Sequence, residues 1–448
     1  MKKSLGYTLV ALASFALGAC DSNSPDPTAG TAELSVIHAS PDAPAVDIDL
    51  NGRAFAQNID FKQNIPNQLV VSGAVTLAVK GVLPGNARPT VIGPANLNLA
   101  EGTRTAVLAV NSVANIEPLI VTRDPSPVAA GSVRLQVVHA APDAPRVSVF
   151  VTAPNAALSG TAPTGTFSFK EVLGPVSVPG GDYQIRVTPA GAPQTVVFDS
   201  GTVNLAAGGD LLVTAVENTT TGSSPITLLV TTSTGNTLNI LDRQTPANLR
   251  VVHASPDAPA VDVIANNNFA QPLVPGLAFP AATGFVSVPP GTYNVKVTPA
   301  GNPGVIAIDA NPAFDAGREY TVMAVGRLAS IEPLVLQDDR RRVSTQAKVR
   351  IIHGSPSAGA VDIYVVAPGG SIQSATPAFA NVAFKANTGY VSLAAGRYDV
   401  IVTPTGSKTA AIGPATVTVA NGGIYSVAAR DAVGGGTPLS IISLDDAL

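Results

Sequence analysis

The chain has 448 residues, a net charge of −4 and only 12% charged residues, with no basic stripe that would neutralise phosphates, so nucleic acid is excluded as an expected partner. Glycine (41 copies) and proline (38 copies) are abundant but follow no three-residue period, which excludes collagen and fits strands broken often by turns. A hydrophobic fraction of 46%, with no tryptophan, is ample for several packed cores.

Lys2 and Lys3 precede an apolar stretch at residues 5–17. It is too short for a comfortable membrane span and has the length of a signal-peptide core. It ends in Leu17-Gly18-Ala19-Cys20, which resembles the bacterial lipobox at all four positions. The resemblance implies a lipoprotein signal peptide over residues 1–19, with diacylglycerol on the Cys20 thiol and Cys20 as the new N-terminus. An ordinary secretory peptide with a stray cysteine is the alternative. Cys20 is the only cysteine, so the exported domains must hold together without an internal disulfide. Each buried methylene contributes about 0.8 kcal/mol, so two or three acyl chains give an almost permanent membrane anchor. The expected location is therefore the bacterial cell envelope. Asp21 resembles the inner-membrane retention signal of enteric bacteria, which leaves the choice of membrane open. Residues 20–32 read as the lipidated cysteine followed by a small, polar, proline-rich tether.

One phrase then recurs four times: VIHASPDAPAVDI at 36–48, VVHAAPDAPRVSV at 137–149, VVHASPDAPAVDV at 251–263 and IIHGSPSAGAVDI at 351–363. It contains all four histidines of the chain, His38, His139, His253 and His353, and its period of roughly 100 residues means one domain per repeat rather than a solenoid. A second phrase follows it: VPGGDYQIRVTPAG at 178–191, VPPGTYNVKVTPAG at 288–301 and LAAGRYDVIVTPTG at 393–406, decayed to VSGAVTLAVKG at 71–81. The domains read as 33–123, 131–241, 248–338 and 347–448. A longer period overlies this one. IEPL at 116–119 returns at 331–334, and FAQ at 55–57 returns at 269–271, an offset of about 215 residues that points to duplication of a two-domain unit. Copies one and three are then sisters, as are two and four. The linker between copies three and four carries Arg340, Arg341 and Arg342, which read as a solvated charge run.

In copy three, Leu249, Val251 and His253 alternate with Arg250, Val252 and Ala254, the period of a strand. Ser255-Pro256-Asp257-Ala258 makes a turn, and a return strand begins at Val261. About seven strands per copy, with no convincing helix, predict an all-β chain of four tandem immunoglobulin-like β-sandwich domains, their strand order left open. The two phrases together resemble the bacterial family called domain of unknown function 4397, over nearly the whole mature chain. Copy one lacks the tyrosine phrase, and copy four has Ser357 and Gly359 in place of the aspartate and second proline. The resemblance implies an envelope or secreted β-domain and supplies no catalytic or binding residues. Four domains of about 35–40 Å, strung end to end, would reach on the order of 150 Å.

The histidine and nearby aspartates, such as His253, Asp257 and Asp262, can be read as a metal or acid–base site. But the first aspartate is Asp42, Asp143 and Asp257 and then Ser357, while the second is Asp47, Asp262 and Asp362 but Ser148 in copy two. One histidine with one or two carboxylates is a poor metal shell. The reading preferred is structural: His38, His139, His253 and His353, with Asp42, Asp143 and Asp257, satisfy turn backbone at the core edge. Tyr183, Tyr293 and Tyr398 read as core tyrosines with a bonded hydroxyl. No catalytic residue, metal site or cofactor is expected. The expected function is a non-catalytic, lipid-anchored envelope protein whose partners are the membrane and an envelope protein or cell-wall polymer. A passive spacer, and an enzyme or metal-binding protein, are the alternatives. Loops at 154–163 and 368–377 are where contacts would sit.

Overall fold

A computed structural model describes residues 30–232 and 234–444. The signal peptide, Cys20 and nearly all of the tether lie outside the described residues. The first domain consists of β1 (Thr31–His38), β2 (Val46–Leu50), β3 (Arg53–Ile59), β4 (Asn64–Val71), β5 (Gly73–Gly81), β6 (Thr90–Leu99), β7 (Arg104–Val110) and β8 (Glu117–Arg123). They form two four-stranded sheets, ordered β4-β1-β7-β8 and β3-β2-β5-β6. All neighbours are antiparallel except β1 and β7, which run parallel with His38 opposite Ala109.

The same order recurs in the other three domains. Their first strands are Ser132–His139, Ala247–His253 and Ala347–His353, and each runs parallel to the strand that corresponds to β7: Asp210–Glu217, Glu319–Val325 and Ile424–Arg430. The chain is thus all-β, with tandem two-sheet sandwiches as the sequence predicts. The strand order that sequence left open places the first strand between the fourth and the seventh. The likeness to immunoglobulin domains is one of architecture, two antiparallel-rich sheets over one core, with eight strands in the first copy. That copy keeps the fifth strand although its tyrosine phrase has decayed. Gly73 opens it as Gly181 opens the matching strand of the second domain, and Val75 stands where Tyr183 does.

A glycine is required where the sixth strand bulges. Gly93 has φ 84°, and a Cβ there would lie 2.5 Å from the Leu77 carbonyl oxygen. Gly413, at φ 90° and 2.4 Å from the Val400 carbonyl, repeats the device in the fourth domain.

The first strand is buried on both faces. Leu34 and Val36 face the sandwich core with Val46, Ile48, Leu77 and Val107. Ile37 and Ala39 point the other way and join a second cluster with Leu108 and Val110 of the same domain and Val138, Leu212 and Leu229 of the next. The β1-containing sheets of domains one and two therefore stack face to face. Domains three and four do the same: Val252, Ala254, Met323 and Val325 meet Ile352, Ala428, Ile442 and Leu444. Burial on both faces explains why these strands carry consecutive apolar residues (VIH, VVH, IIH) rather than strict alternation. The structure corrects the end-to-end string: the domains come as two face-to-face pairs, because the outer face of each inner sheet is itself apolar and must be covered.

Candidate functional site

Each histidine closes the strand-to-turn junction of its own domain. Nε2 of His38 lies 2.9 Å from the Pro44 carbonyl oxygen, of His139 3.2 Å from Pro145, of His253 2.9 Å from Pro259 and of His353 2.6 Å from Gly359. The neutral ring donates from Nε2 to a carbonyl six residues on, which would otherwise be left unpaired at the core edge. In copies one and three the backbone N–H of Ser40 and of Ser255 approaches Nδ1 at 3.4 Å. An aromatic edge completes each pocket: Phe61, Phe167, Phe279 and Phe384 stand T-shaped to the rings at 6.0–6.3 Å. Burial pushes all four imidazoles below the usual 6.5, against the opposing pull of the carbonyl bond.

The aspartates are likewise occupied by backbone. Asp42 Oδ1 accepts from the Val113 N–H at 2.7 Å and Asp257 Oδ1 from the Leu328 N–H at 2.8 Å, in both cases holding a short 3-10 turn after the seventh strand. Copies one and three share this bond. Asp47, Asp262 and Asp362 accept from the backbone of the neighbouring third strand at Asn58, Gly276 and Asn381. Two backbone N–H donors, from Asn381 and Gly406, hold the Asp362 carboxyl below the usual carboxylate range. In copy two, Ser148 bonds Thr166 in that place, so the motif's gaps are alternative ways of fastening the same strand. The hydroxyls of Tyr183, Tyr293 and Tyr398 donate to the carbonyl four residues back, at 2.8, 2.7 and 3.0 Å. Among the described residues no three His, Cys, Asp or Glu side chains are grouped to hold a metal ion.

Asp143 stands apart, in a polar cleft of about 450 Å³ with Asp42, Glu217, Arg340 and Arg342. Partial burial, with the charges of Asp143 and Asp42 behind it, raises the Glu217 carboxyl. The arginine run that edges this cleft is not uniformly solvated. Arg341 is partly buried and grips the turn of the first domain: Nη1 donates to the carbonyls of Pro41 (3.2 Å) and Ala43 (2.9 Å), Nη2 to Asp60, and the guanidinium covers the Phe61 ring. Ser344 adds bonds to Asp42. Burial, with Arg341 adding repulsion, lowers Lys62 to about 8. Sequence reading missed this contact because its halves lie about 300 residues apart and three arginines carry no periodic signal.

The seams within the pairs carry buried ion networks. Asp210 of domain two receives Arg104 (2.7 Å) and Arg123 (2.7 Å) of domain one and Arg134 (2.9 Å) of its own domain, while Arg104 also pairs with Glu33. In the second pair the positions equivalent to Arg104 and Arg123 are Glu319 and Asp338, opposite each other on the same two strands. Asp338 receives Arg350 of domain four and approaches Arg250 at 3.7 Å. The charge is reversed at these two positions, and the partner comes from a different strand: Asp210 lies on Asp210–Glu217 of domain two, Arg350 on the first strand of domain four.

The family model for domain of unknown function (DUF4397) matches residues 32–150, 247–364 and 371–448. No curated protein matches the chain. Among solved structures, the Bacillus anthracis TIE protein is similar over 90% of this chain and 68% of its own, at 12% identity and a TM-score of 0.16. The major pilin subunit of Bacillus cereus is similar over 70% and 96%, at 8% identity and a TM-score of 0.13. Values this low carry no argument about what this chain does.

Proposed function

Because the chain belongs to the DUF4397 family, whose description assigns no activity, we propose from its own residues that it is a non-catalytic, lipid-anchored protein of the bacterial envelope. In this reading Cys20 carries the lipid, and two face-to-face domain pairs present their loops to an envelope protein or cell-wall polymer. The observation that carries the non-catalytic part is the fate of the repeated polar motif. Every histidine in it bonds a turn carbonyl, and five of its aspartates bond backbone N–H groups. Groups so engaged hold the fold and are withdrawn from proton transfer to a substrate. The lipobox supports the anchor, and the exposed loops at 154–163 and 368–377, pinned by buried Leu158 and Ile372, support presentation. The Ala, Gly, Ser and Thr content of those loops favours the second reading, a passive spacer.

The test has two arms. Full-length protein and Cys20→Ser are compared for membrane partitioning and signal-peptide processing, and the soluble chain from Asp21 onward is co-sedimented with purified cell wall. Loss of membrane association in Cys20→Ser and saturable co-sedimentation support the proposal. Unchanged partitioning and processing overturn the anchor, absence of any co-sedimentation leaves the spacer reading, and hydrolytic turnover of wall polymer overturns the non-catalytic assignment.

A further inference from the structure

The four sandwiches are built alike but are not filled alike. Between its two sheets the second domain leaves a void of only about 30 Å³. The third leaves a cavity of about 270 Å³ and the fourth one of about 250 Å³. The strand registers show why. Where the second domain places Phe167, Ile185 and Phe198 opposite Val147, Val151 and Val187, the third places Leu277, Val295 and Ile308. The fourth has Val400 and Ile412 at the last two positions. Relative to the second domain, the third lacks two rings and a methylene at these positions.

The edge is also left open. In the second domain a ninth strand, Thr237–Ile240, extends the inner sheet, and Ile240 packs onto the core. The third domain lacks this strand. Its cavity runs out between Asn311 and Pro312 on one sheet and Pro333 and Val335 on the other, where Val335 is 39% exposed. The walls are mainly valine, leucine, isoleucine, alanine and proline, with His253 and Asn311 as the polar side chains and no charged group. Such a cavity repels water, since a water molecule needs two to four polar partners, and accepts apolar molecules; voids of about 150 Å³ already hold benzene.

We propose that the third and fourth domains each bind a neutral hydrocarbon group, an alkyl segment or an aromatic ring, between their sheets, in the third domain entering at the open edge. This goes beyond presentation of loops: it assigns the interior of two domains to a ligand.

The probe is 1-aminoanthracene, an uncharged aromatic whose fluorescence rises in apolar surroundings, titrated into the soluble chain from Asp21 onward. Two saturable sites per chain are expected. Leu277→Phe with Ile308→Phe, which restores the ring positions of the second domain, removes one site. Adding Val400→Ile and Ile412→Phe removes the second, at unchanged or raised melting temperature. No saturable binding to the folded wild type, or binding indifferent to the filled variants, overturns the proposal. Should a filled variant fail to fold, xenon-pressurised crystals of the wild type decide independently. Xenon between Val263 and Ile308 supports the site, and its absence there overturns it.

Discussion

Arg123 and Asp210 meet at 2.7 Å across the seam between the first two domains, with side chains 4% and 8% exposed. Arg104 and Arg134 complete the shell around the same carboxylate. Removing one partner of such a pair leaves buried charge uncompensated, which costs far more than the pair contributes. Asp210→Asn is therefore expected to destabilise the first domain pair by about 3–5 kcal/mol. Chemical denaturation followed by hydrogen exchange, resolved by domain, would locate the loss; an unchanged first pair would mean the arginines find water instead.

The same carboxylate gives an acid limit. Burial pushes Asp210 up, but the hydrogen bond from Arg134 and the charges of Arg123, Arg134 and Arg104 outweigh it and hold its proton affinity below the usual 3.8. A carboxylate with a depressed folded value contributes stability above its unfolded value and loses it as pH falls through the folded one. The seam is expected to keep its stability at pH 5 and above and to weaken below about 4. In Asp210→Asn that part of the acid dependence disappears.

The second seam reverses the charges, with Asp338 on domain three facing Arg350 on domain four. Domain one paired with domain four would set Arg123, which stands at the Asp338 position, against Arg350. Like charges in a dry seam act against the wrong pairing. Asp338→Arg should destabilise the second pair by at least about 3 kcal/mol, and adding Arg350→Asp should recover part of that. A double variant no better than the single one would show that the pair is not coupled.

The four histidines predict a second pH dependence. Each is held below 6.5, chiefly by burial, so the unfolded chain binds more protons between 6.5 and the folded values. Stability from these groups is full above 6.5 and falls as pH drops below it, with the same sign in all four domains. Thermal melting should decline from pH 7 towards pH 5.5. His253→Ala should lower stability by about 1–3 kcal/mol, by leaving the Pro259 carbonyl unpaired. It should also remove the third domain's share of the slope. A variant that melts like the parent at both pH values would leave His253 without a structural role.

The strands and the histidine turns were legible because period-two patterning and turn chemistry are local. Val251 and His253 mark a core face, and Pro256 with Asp257 marks the turn. The stacking of pairs was half legible. Val252 and Ala254, which a one-sided strand would expose, are buried against Ile352 of the next domain, and the double valine before His253 is the trace of that second face. The seam networks were not legible. The exchange of Arg104 and Arg123 for Glu319 and Asp338 can be seen along the repeat, but the partners Asp210 and Arg350 come from a different strand position in each pair. Nothing in spacing links Arg341 to Pro41, since a contact across 300 residues is decided by how the pairs dock.

That last contact can be tested without losing the charge. Arg341 spans two carbonyls, one carboxylate and one ring at once, a fork that a planar guanidinium fits and an ammonium does not. Arg341→Lys keeps the attraction to Asp60 and forfeits the bidentate hold on the turn. The expected cost is about 1–2 kcal/mol, confined to the docking of the 339–346 segment rather than to either sandwich. Hydrogen exchange at the Ser344 amide, which donates to the Asp42 carbonyl at 2.8 Å, should speed up while amides of β1 and β7 keep their protection. Lys62, lowered to about 8 first by burial and then by Arg341, should be affected less by the lysine than by Arg341→Ala, which removes the repulsion and uncovers the site. If Ser344 exchange is unchanged in both variants, the turn of the first domain is held by its own residues and the linker only lies against it.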